Sequence, residues 1–184
     1  IAHHGVSENE ECMTYSIGFR APGKQELMQG FLEYLQDTMQ AEGLYTDADL
    51  KLQQHPAEIS DAMVTKVEAM LKKITWDKKT VSHFLGRALT EPTPAVFFQP
   101  VDTTAGASAI EDFAQQMAGQ SLYLDLQSLF LFADDRFYIN GEPLIVPADI
   151  QADVRALADH RYLDTSVLND AQRLMLAQAL HSAW

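Results

Sequence analysis

Residues 12–19, CMTYSIGF, are predicted to form one well-patterned strand that has no partner nearby in the sequence. Apolar side chains alternate with small or polar ones along it, which is typical of a strand with one buried face. Pro22-Gly23 ends the pattern, and residues 24–90 show helical periodicity instead. Because a strand needs a hydrogen-bonded neighbour, we expect this one to belong to a sheet whose other strands lie outside residues 24–90.

Three helices are predicted after this strand. The first runs from Lys24 to about Ala41 and has an apolar stripe too wide for one buried face. Ser60 is expected to cap the second helix and Asp77 the third. Residues 90–94, TEPTP, break the helical pattern and are predicted to be a linker. The wide stripe of the first helix contains Leu27, Met28, Phe31, Leu32, Tyr34, Leu35 and Met39.

The remainder of the chain has a different character. A short helix over 107–119, a β-rich stretch over 121–146 and helices over about 148–159 and 169–182 are predicted. Within the β-rich stretch, Asp134-Asp135 joins two strand-like runs and Asn140-Gly141 is a second tight-turn signal. This order is similar to a small winged-helix-type module, and the predicted fold class of the chain is α+β, mostly helical.

Charge and composition exclude several classes of function. The net charge is −13, and residues 92–184 contain four Arg and no Lys against twelve Asp and Glu. Because a surface this acidic repels phosphate groups, we expect no direct nucleic-acid partner. No apolar run approaches the roughly 18 residues that span a bilayer, so no membrane association is expected. A single Cys, Cys12, allows no internal disulfide and favours a reducing compartment, so the expected location is cytoplasmic.

The residues alone define no complete active site. His3-His4 is the only histidine cluster, and two histidines at a chain end are more often a frayed tail or a tag remnant than a metal site. No Cys-x-x-Cys, phosphate-binding glycine loop, Gly-x-Ser-x-Gly or His-x-Asp motif occurs in the sequence. Without family knowledge, this is a globular chain with no assignable chemistry.

The amino-terminal stretch nevertheless resembles a known family. HHGVSENEECMTYSIGFRAPG, followed by KQELMQGFLEYLQ, is similar to the end of the catalytic barrel in bacterial ribosomal oxygenases. These are JmjC-type cupin enzymes that hydroxylate an arginine in a large-subunit ribosomal protein. DADLKLQQHPAEIS and the DDRFYINGEPL hairpin continue the resemblance. It covers essentially the whole chain, but only the carboxy-terminal half of such an enzyme.

The resemblance implies an iron(II) and 2-oxoglutarate chemistry. In the family, two histidines and one carboxylate hold the iron and leave positions for 2-oxoglutarate and oxygen. A His-x-Asp pair on an earlier strand supplies two of these ligands, and the histidine of His-x-Gly supplies the third. Carried over, that residue is His3, whereas His4 is not assigned as a ligand. Thr14 and Ser16 either line the cofactor pocket or only pack inside the barrel. The loop Val6–Cys12 is about a residue longer than is usual in the family.

The resemblance also implies three segments: residues 1–22 as the final strand of a jelly-roll (cupin) barrel, 23–91 as a helical dimerisation region, and 95–184 as a winged-helix-like domain. A homodimer is expected, although a purely intramolecular helical bundle remains the alternative. The expected function is the carboxy-terminal portion of an iron(II)/2-oxoglutarate-dependent ribosomal protein arginine hydroxylase. This chain alone is expected to bind no cofactor and to be inactive. The alternative is a non-enzymatic dimeric scaffold or protein-interaction module.

Overall fold

The computed structural model describes residues 21–40, 43–46, 48, 51–98 and 106–181. The predicted strand over 12–19 lies outside the described residues, as do His3, Thr14 and Ser16. The chain divides into two compact units, Ile1–Met39 and Gln40–Trp184. The fold is mixed α+β, and about half of the described residues are helical. The predicted final strand of a jelly-roll barrel therefore stays a prediction.

In the first unit, helix α1 spans Lys24–Thr38 and begins at a cap in which the N–H of Gly23 donates to Glu26 Oε2 at 2.9 Å. The helix stops before the predicted Ala41 because Met39 is already extended. The Thr38 hydroxyl donates to the carbonyl of Tyr34, at 2.9 Å. Leu35 is the buried member of the wide stripe, whereas Met28 and Leu32 are 63% and 61% exposed.

In the second unit, α2 spans Asp61–Leu71 and α3 spans Lys78–Thr90. Both predicted caps are confirmed: Ser60 Oγ accepts from the N–H of Met63 at 3.2 Å, and Asp77 Oδ1 accepts from the N–H of Thr80 at 2.7 Å. α2 contributes no buried residue. Four of its large apolar side chains are exposed, those of Met63, Val64, Met70 and Leu71.

The strands β2 (Phe130–Ala133), β3 (Arg136–Ile139) and β4 (Glu142–Leu144) form an antiparallel meander. The predicted turns at Asp134-Asp135 and Asn140-Gly141 join them, and positive φ angles at Asp134, Asn140 and Gly141 provide the twist that tight hairpins need. The sequence grouped α3 with the helical region, yet α3 packs on this sheet. The predicted boundary at residues 91–95 thus falls between two elements in contact, and the three-part domain division stays a prediction.

Helices α4 (Gly106–Gln116), α5 (Gln151–His160) and α6 (Asp170–His181) surround the other face of the core. A second, two-stranded antiparallel sheet pairs β1 (Ser121–Tyr123) with β5 (Tyr162–Asp164). β5 was not expected from the sequence; it begins directly after α5 because Arg161 ends that helix in the left-handed conformation, φ 62°. Side chains from all these helices and from β3 form the core, including Phe137, Ile150, Val154, Leu157, Leu163 and Leu176.

No helix among the described residues is long and apolar enough to cross a membrane.

Candidate functional site

The described residues contain no metal centre. No three His, Cys, Asp or Glu side chains come together within the ranges that the structure describes. The predicted ligand His3, and the predicted cofactor-pocket residues Thr14 and Ser16, lie outside those ranges. The described part of the chain therefore offers no set of side chains that fits an iron ion, and no reaction step is assigned to it.

Three of the four arginines in residues 92–184 hold backbone carbonyls. Arg155 Nη2 donates to the carbonyl of Asp134 at 2.7 Å, and Arg161 Nη2 donates to that of Asp125 at 2.7 Å. Arg173 Nη1 donates to the carbonyl of Leu168 at 2.5 Å. The Arg155 guanidinium thereby lies against the β2–β3 hairpin. These contacts make the three guanidinium groups parts of the fold.

Arg155 also contacts the aromatic face of the hairpin. Its guanidinium carbon lies 5.9 Å from the ring centroid of Phe132 and 5.7 Å from that of Phe137, within cation–π range. Arg173 forms an ion pair with Asp170. Both guanidinium groups are therefore held by other groups of the same module.

The fourth arginine, Arg136, lines a groove with Lys78 and Lys79 at the start of α3. Asp134 and Asp135 lie in the same groove, so the cations there have acidic neighbours. The lysines come from α3, which the charge argument for residues 92–184 had left out.

An apolar cavity of about 400 Å³ lies between α4, β1 and α6. Phe113 from α4, Leu122 from β1 and Leu180 from α6 form much of its wall. Polar residues also line it, among them Asp125 just after β1, Ser128, and His181 at the end of α6. His181 Nε2 is buried and has no hydrogen-bond partner among the described residues. A volume of this size is in the range that accepts a ligand or a partner's side chain.

Aromatic side chains cover the neighbouring surface of the two-stranded sheet. Tyr123 is 72% exposed, and its ring centroid is 6.1 Å from that of Tyr162. His160 lies on the other side of Tyr162, at 6.3 Å. Nothing in the local sequence indicated this cavity, because its walls come from segments up to seventy residues apart that only the fold brings together.

The described helices and the antiparallel hairpin define a winged-helix type of α+β module. Residues 73–183 match the family model described as a ROXA-like winged helix, and this match includes α3. The chain belongs to the ROXA-like winged helix family, since the match covers more than half of its length.

Comparison with curated proteins and solved structures also identifies ribosomal oxygenases as similar proteins. The chain is 26% identical over 162 residues to the ribosomal protein uL16 3-hydroxylase of Escherichia coli (strain K12), covering 88% of this chain and 42% of that protein. The match falls in the carboxy-terminal part of that protein. The predicted resemblance to ribosomal oxygenases is thus confirmed, and the chain spans less than half the length of this relative.

Solved structures similar to this chain include those of YcfD, a ribosomal oxygenase from Escherichia coli. One is in complex with cobalt and succinic acid and superposes with a TM-score of 0.57. Another, in complex with cobalt and 2-oxoglutarate, gives 0.55. Both are 23% identical and cover 91% of this chain and 47% of theirs. At this identity the likeness shows the fold alone.

Proposed function

We propose that this chain is the carboxy-terminal portion of an iron(II)- and 2-oxoglutarate-dependent oxygenase that hydroxylates an arginine of a large-subunit ribosomal protein. The observation that carries the proposal is the match of 88% of the chain to a ribosomal protein uL16 3-hydroxylase. The cobalt, succinic acid and 2-oxoglutarate bound by structural neighbours support the same chemistry. Family membership through the winged helix adds independent support.

His3 is proposed to be the distal iron ligand of the longer protein. One imidazole does not make the site, because the chemistry needs two histidines and a carboxylate. We therefore expect this chain alone to release no succinate from 2-oxoglutarate in the presence of iron(II), above the level of a His3→Ala control. A longer protein that includes the preceding strands is expected to release succinate, and to lose that activity with His3→Ala. Turnover by the present chain alone would contradict this assignment.

A homodimer through the helical region 23–91 is part of the proposal. α1 exposes Met28 and Leu32 one turn apart, and α2 exposes Met63, Val64, Met70 and Leu71. Exposed apolar surface on two consecutive helices is typical of a protein–protein interface. A second subunit is the partner that would bury it.

The partner proposed for the enzyme is a basic ribosomal protein, and nucleic acid is not proposed as a partner. Three of the four arginines in residues 92–184 hold backbone carbonyls, and the same stretch contains twelve acidic residues. Phosphate contacts need free cations. Fluorescence anisotropy with duplex DNA and structured RNA at low salt is expected to show no micromolar binding. The proposed location is the cytoplasm.

The alternative is a dimeric interaction module with no chemistry. The exposed apolar faces of α1 and α2 would suit that role equally well. The gene sequence upstream of the codon for Ile1 discriminates between the two. A His-x-Asp pair on a predicted strand favours the hydroxylase, and its absence favours the scaffold.

A further inference from the structure

The cavity between α4, β1 and α6 reaches β1 and the two residues that follow it. Its lining includes Leu122 and Tyr123 of β1, and then Leu124 and Asp125. Leu122 and Leu124 lie on the same face of this extended segment and pack against the core, whereas Tyr123 is 72% exposed. A strand added beside β1 would therefore turn every second side chain toward the face on which the cavity opens.

The backbone of β1 has free hydrogen-bonding groups on that side. The N–H of Leu124 donates to the carbonyl of Arg161 at 2.9 Å, and the N–H of Thr165 donates to that of Gln120 at 3.1 Å. Along an antiparallel pair, residues whose backbone groups bond the partner strand alternate with residues whose backbone groups point away from it. Ser121 and Tyr123 are of the second kind, so their N–H and C=O groups point away from β5. Neither residue has a backbone partner on that side within the described ranges. β1 is thus an open sheet edge of the kind that accepts an added strand.

The charge around this edge is negative. Asp125 lies at one end of β1, and Asp164 is paired with Ser121 at the other end. One cation also lies at this edge, because the guanidinium of Arg161 donates to the carbonyls of Asp125 and Ser128. Residues 73–183, the extent of the family match, contain fourteen Asp and Glu against eight Lys and Arg, a difference of six negative charges.

We propose that β1 and the cavity beside it form a docking site for an extended, basic segment of a protein, which adds a strand to β1 and places one apolar side chain in the cavity. The open backbone groups supply affinity, the cavity of about 400 Å³ supplies the anchor position, and the acidic surroundings favour a basic segment. This inference rests on the proposed function, because the basic partner is the ribosomal protein substrate. The docking site would bind a segment of the ribosomal protein other than the arginine that is hydroxylated.

Two substitutions test the site without disturbing the β1–β5 ladder. Ala109→Phe fills the cavity from a half-buried position on α4, and Ala152→Phe adds the same ring at an exposed position on α5 as the control. Tyr123→Pro removes an N–H that points away from β5, and Tyr123→Ala keeps that N–H while removing the ring. Circular dichroism and thermal melting establish that each variant is folded.

The experiment measures binding of purified ribosomal protein uL16 to the 184-residue chain by calorimetry, together with ¹⁵N NMR shift mapping. We expect shifts at Ser121–Asp125 and at Phe113 and Leu180. Ala109→Phe and Tyr123→Pro are each expected to weaken binding by about tenfold or more, as loss of a central anchor does. Ala152→Phe is expected to stay within about twofold of the parent chain, because its ring lies outside the anchor position.

Three results would overturn the docking site: no binding of uL16, unchanged affinity in a folded Ala109→Phe chain, or shifts that cluster away from β1. Shifts at β1 that grow with chain concentration in the absence of uL16 would also overturn it, because they would identify a second copy as the occupant. Hydroxylation of uL16 by the longer protein is a separate measurement. Its success beside a failed docking test would leave the proposed function standing.

Discussion

Gly86 is the residue at which α3 comes closest to the sheet. A Cβ at this position would stand 2.4 Å from ring carbons of Tyr138, which is fully buried and cannot move aside. Alanine improves helix propensity by about 1 kcal/mol, but overpacking a core contact costs about 1–3 kcal/mol. We expect Gly86→Ala to lower the free energy of unfolding, measured by urea titration. Ser82→Ala on the same helix is the control and is expected to be near neutral. A Gly86→Ala chain more stable than the parent would show that the contact is looser than described.

His83 makes the same contact sensitive to pH. Its Nδ1 lies 3.1 Å from the Tyr138 hydroxyl, and burial, with smaller contributions from the charges of Arg136 and Arg87, lowers the pKa of its imidazole below 6.5. Because the folded state favours the neutral ring, His83 supports stability above the unfolded pKa. This support is lost as the pH falls from about 6.5 through the folded pKa.

We therefore expect the melting temperature to fall between about pH 7.5 and pH 5.5, and to fall less in His83→Gln. Glutamine keeps a hydrogen-bonding group near Tyr138 but does not titrate. The carboxylates are common to both chains, so the difference between the two profiles isolates His83. Parallel profiles would refute this role.

At the scale of elements, Thr90 joins the end of α3 to the β3–β4 turn. Its hydroxyl is fully buried, donates to the carbonyl of Gly86 at 2.8 Å and accepts from the N–H of Gly141 at 3.0 Å. Thr90→Val keeps the shape but leaves the N–H of Gly141 unpaired, which costs about 1–3 kcal/mol. Denaturant unfolding should report that loss, whereas Thr90→Ser, which retains the hydroxyl, should recover most of it. Equal stability of the two variants would contradict the tether.

The elements that the sequence predicted are those with local signals. Ser60 and Asp77 cap helices through residues three positions away, and the Asp134-Asp135 turn joins directly neighbouring strands. The β1–β5 pair was missed because three-residue strands carry little periodicity and their partners lie about forty residues apart. The same reason hid the packing of α3 on the sheet, which depends on Gly86 meeting Tyr138 across 52 positions.

The features of the candidate site also differ in how far the sequence predicts them. The iron ligand His3 was inferred only through the family resemblance, since one histidine without its His-x-Asp partner has no local signature. The cavity beside β1 has no sequence motif at all, because α4, β1 and α6 each supply ordinary apolar residues to it. Charge, by contrast, was readable from composition, although the role of arginines as carbonyl donors needed the structure.

For the whole molecule, the proposed homodimer gives a direct test on α1. Met28 and Leu32 are exposed, whereas Phe31 is half-buried and stacks on Tyr34 with a centroid distance of 6.3 Å. Phe31→Asp is therefore a poor probe of the dimer, because that variant would also disturb α1 itself. Met28→Asp places a charge on the outward stripe, and Gln29→Asp places one at a neighbouring exposed polar position.

Light scattering at micromolar concentration should give twice the 20.6 kDa chain mass for the parent chain and for Gln29→Asp. Met28→Asp should shift toward the monomer, because dimerisation would bury an unpaired charge. A parent chain that is monomeric and well folded at that concentration would contradict the homodimer.

The central claim is that this chain completes a ribosomal protein hydroxylase, and the mass of the substrate tests it most directly. The longer protein containing this chain is incubated with uL16, iron(II) and 2-oxoglutarate, and tryptic peptides are analysed by mass spectrometry. We predict the gain of one oxygen atom on a single arginine-containing peptide, and no gain with the His3→Ala variant. An unmodified uL16 beside an active control oxygenase, or full modification by His3→Ala, would contradict the account.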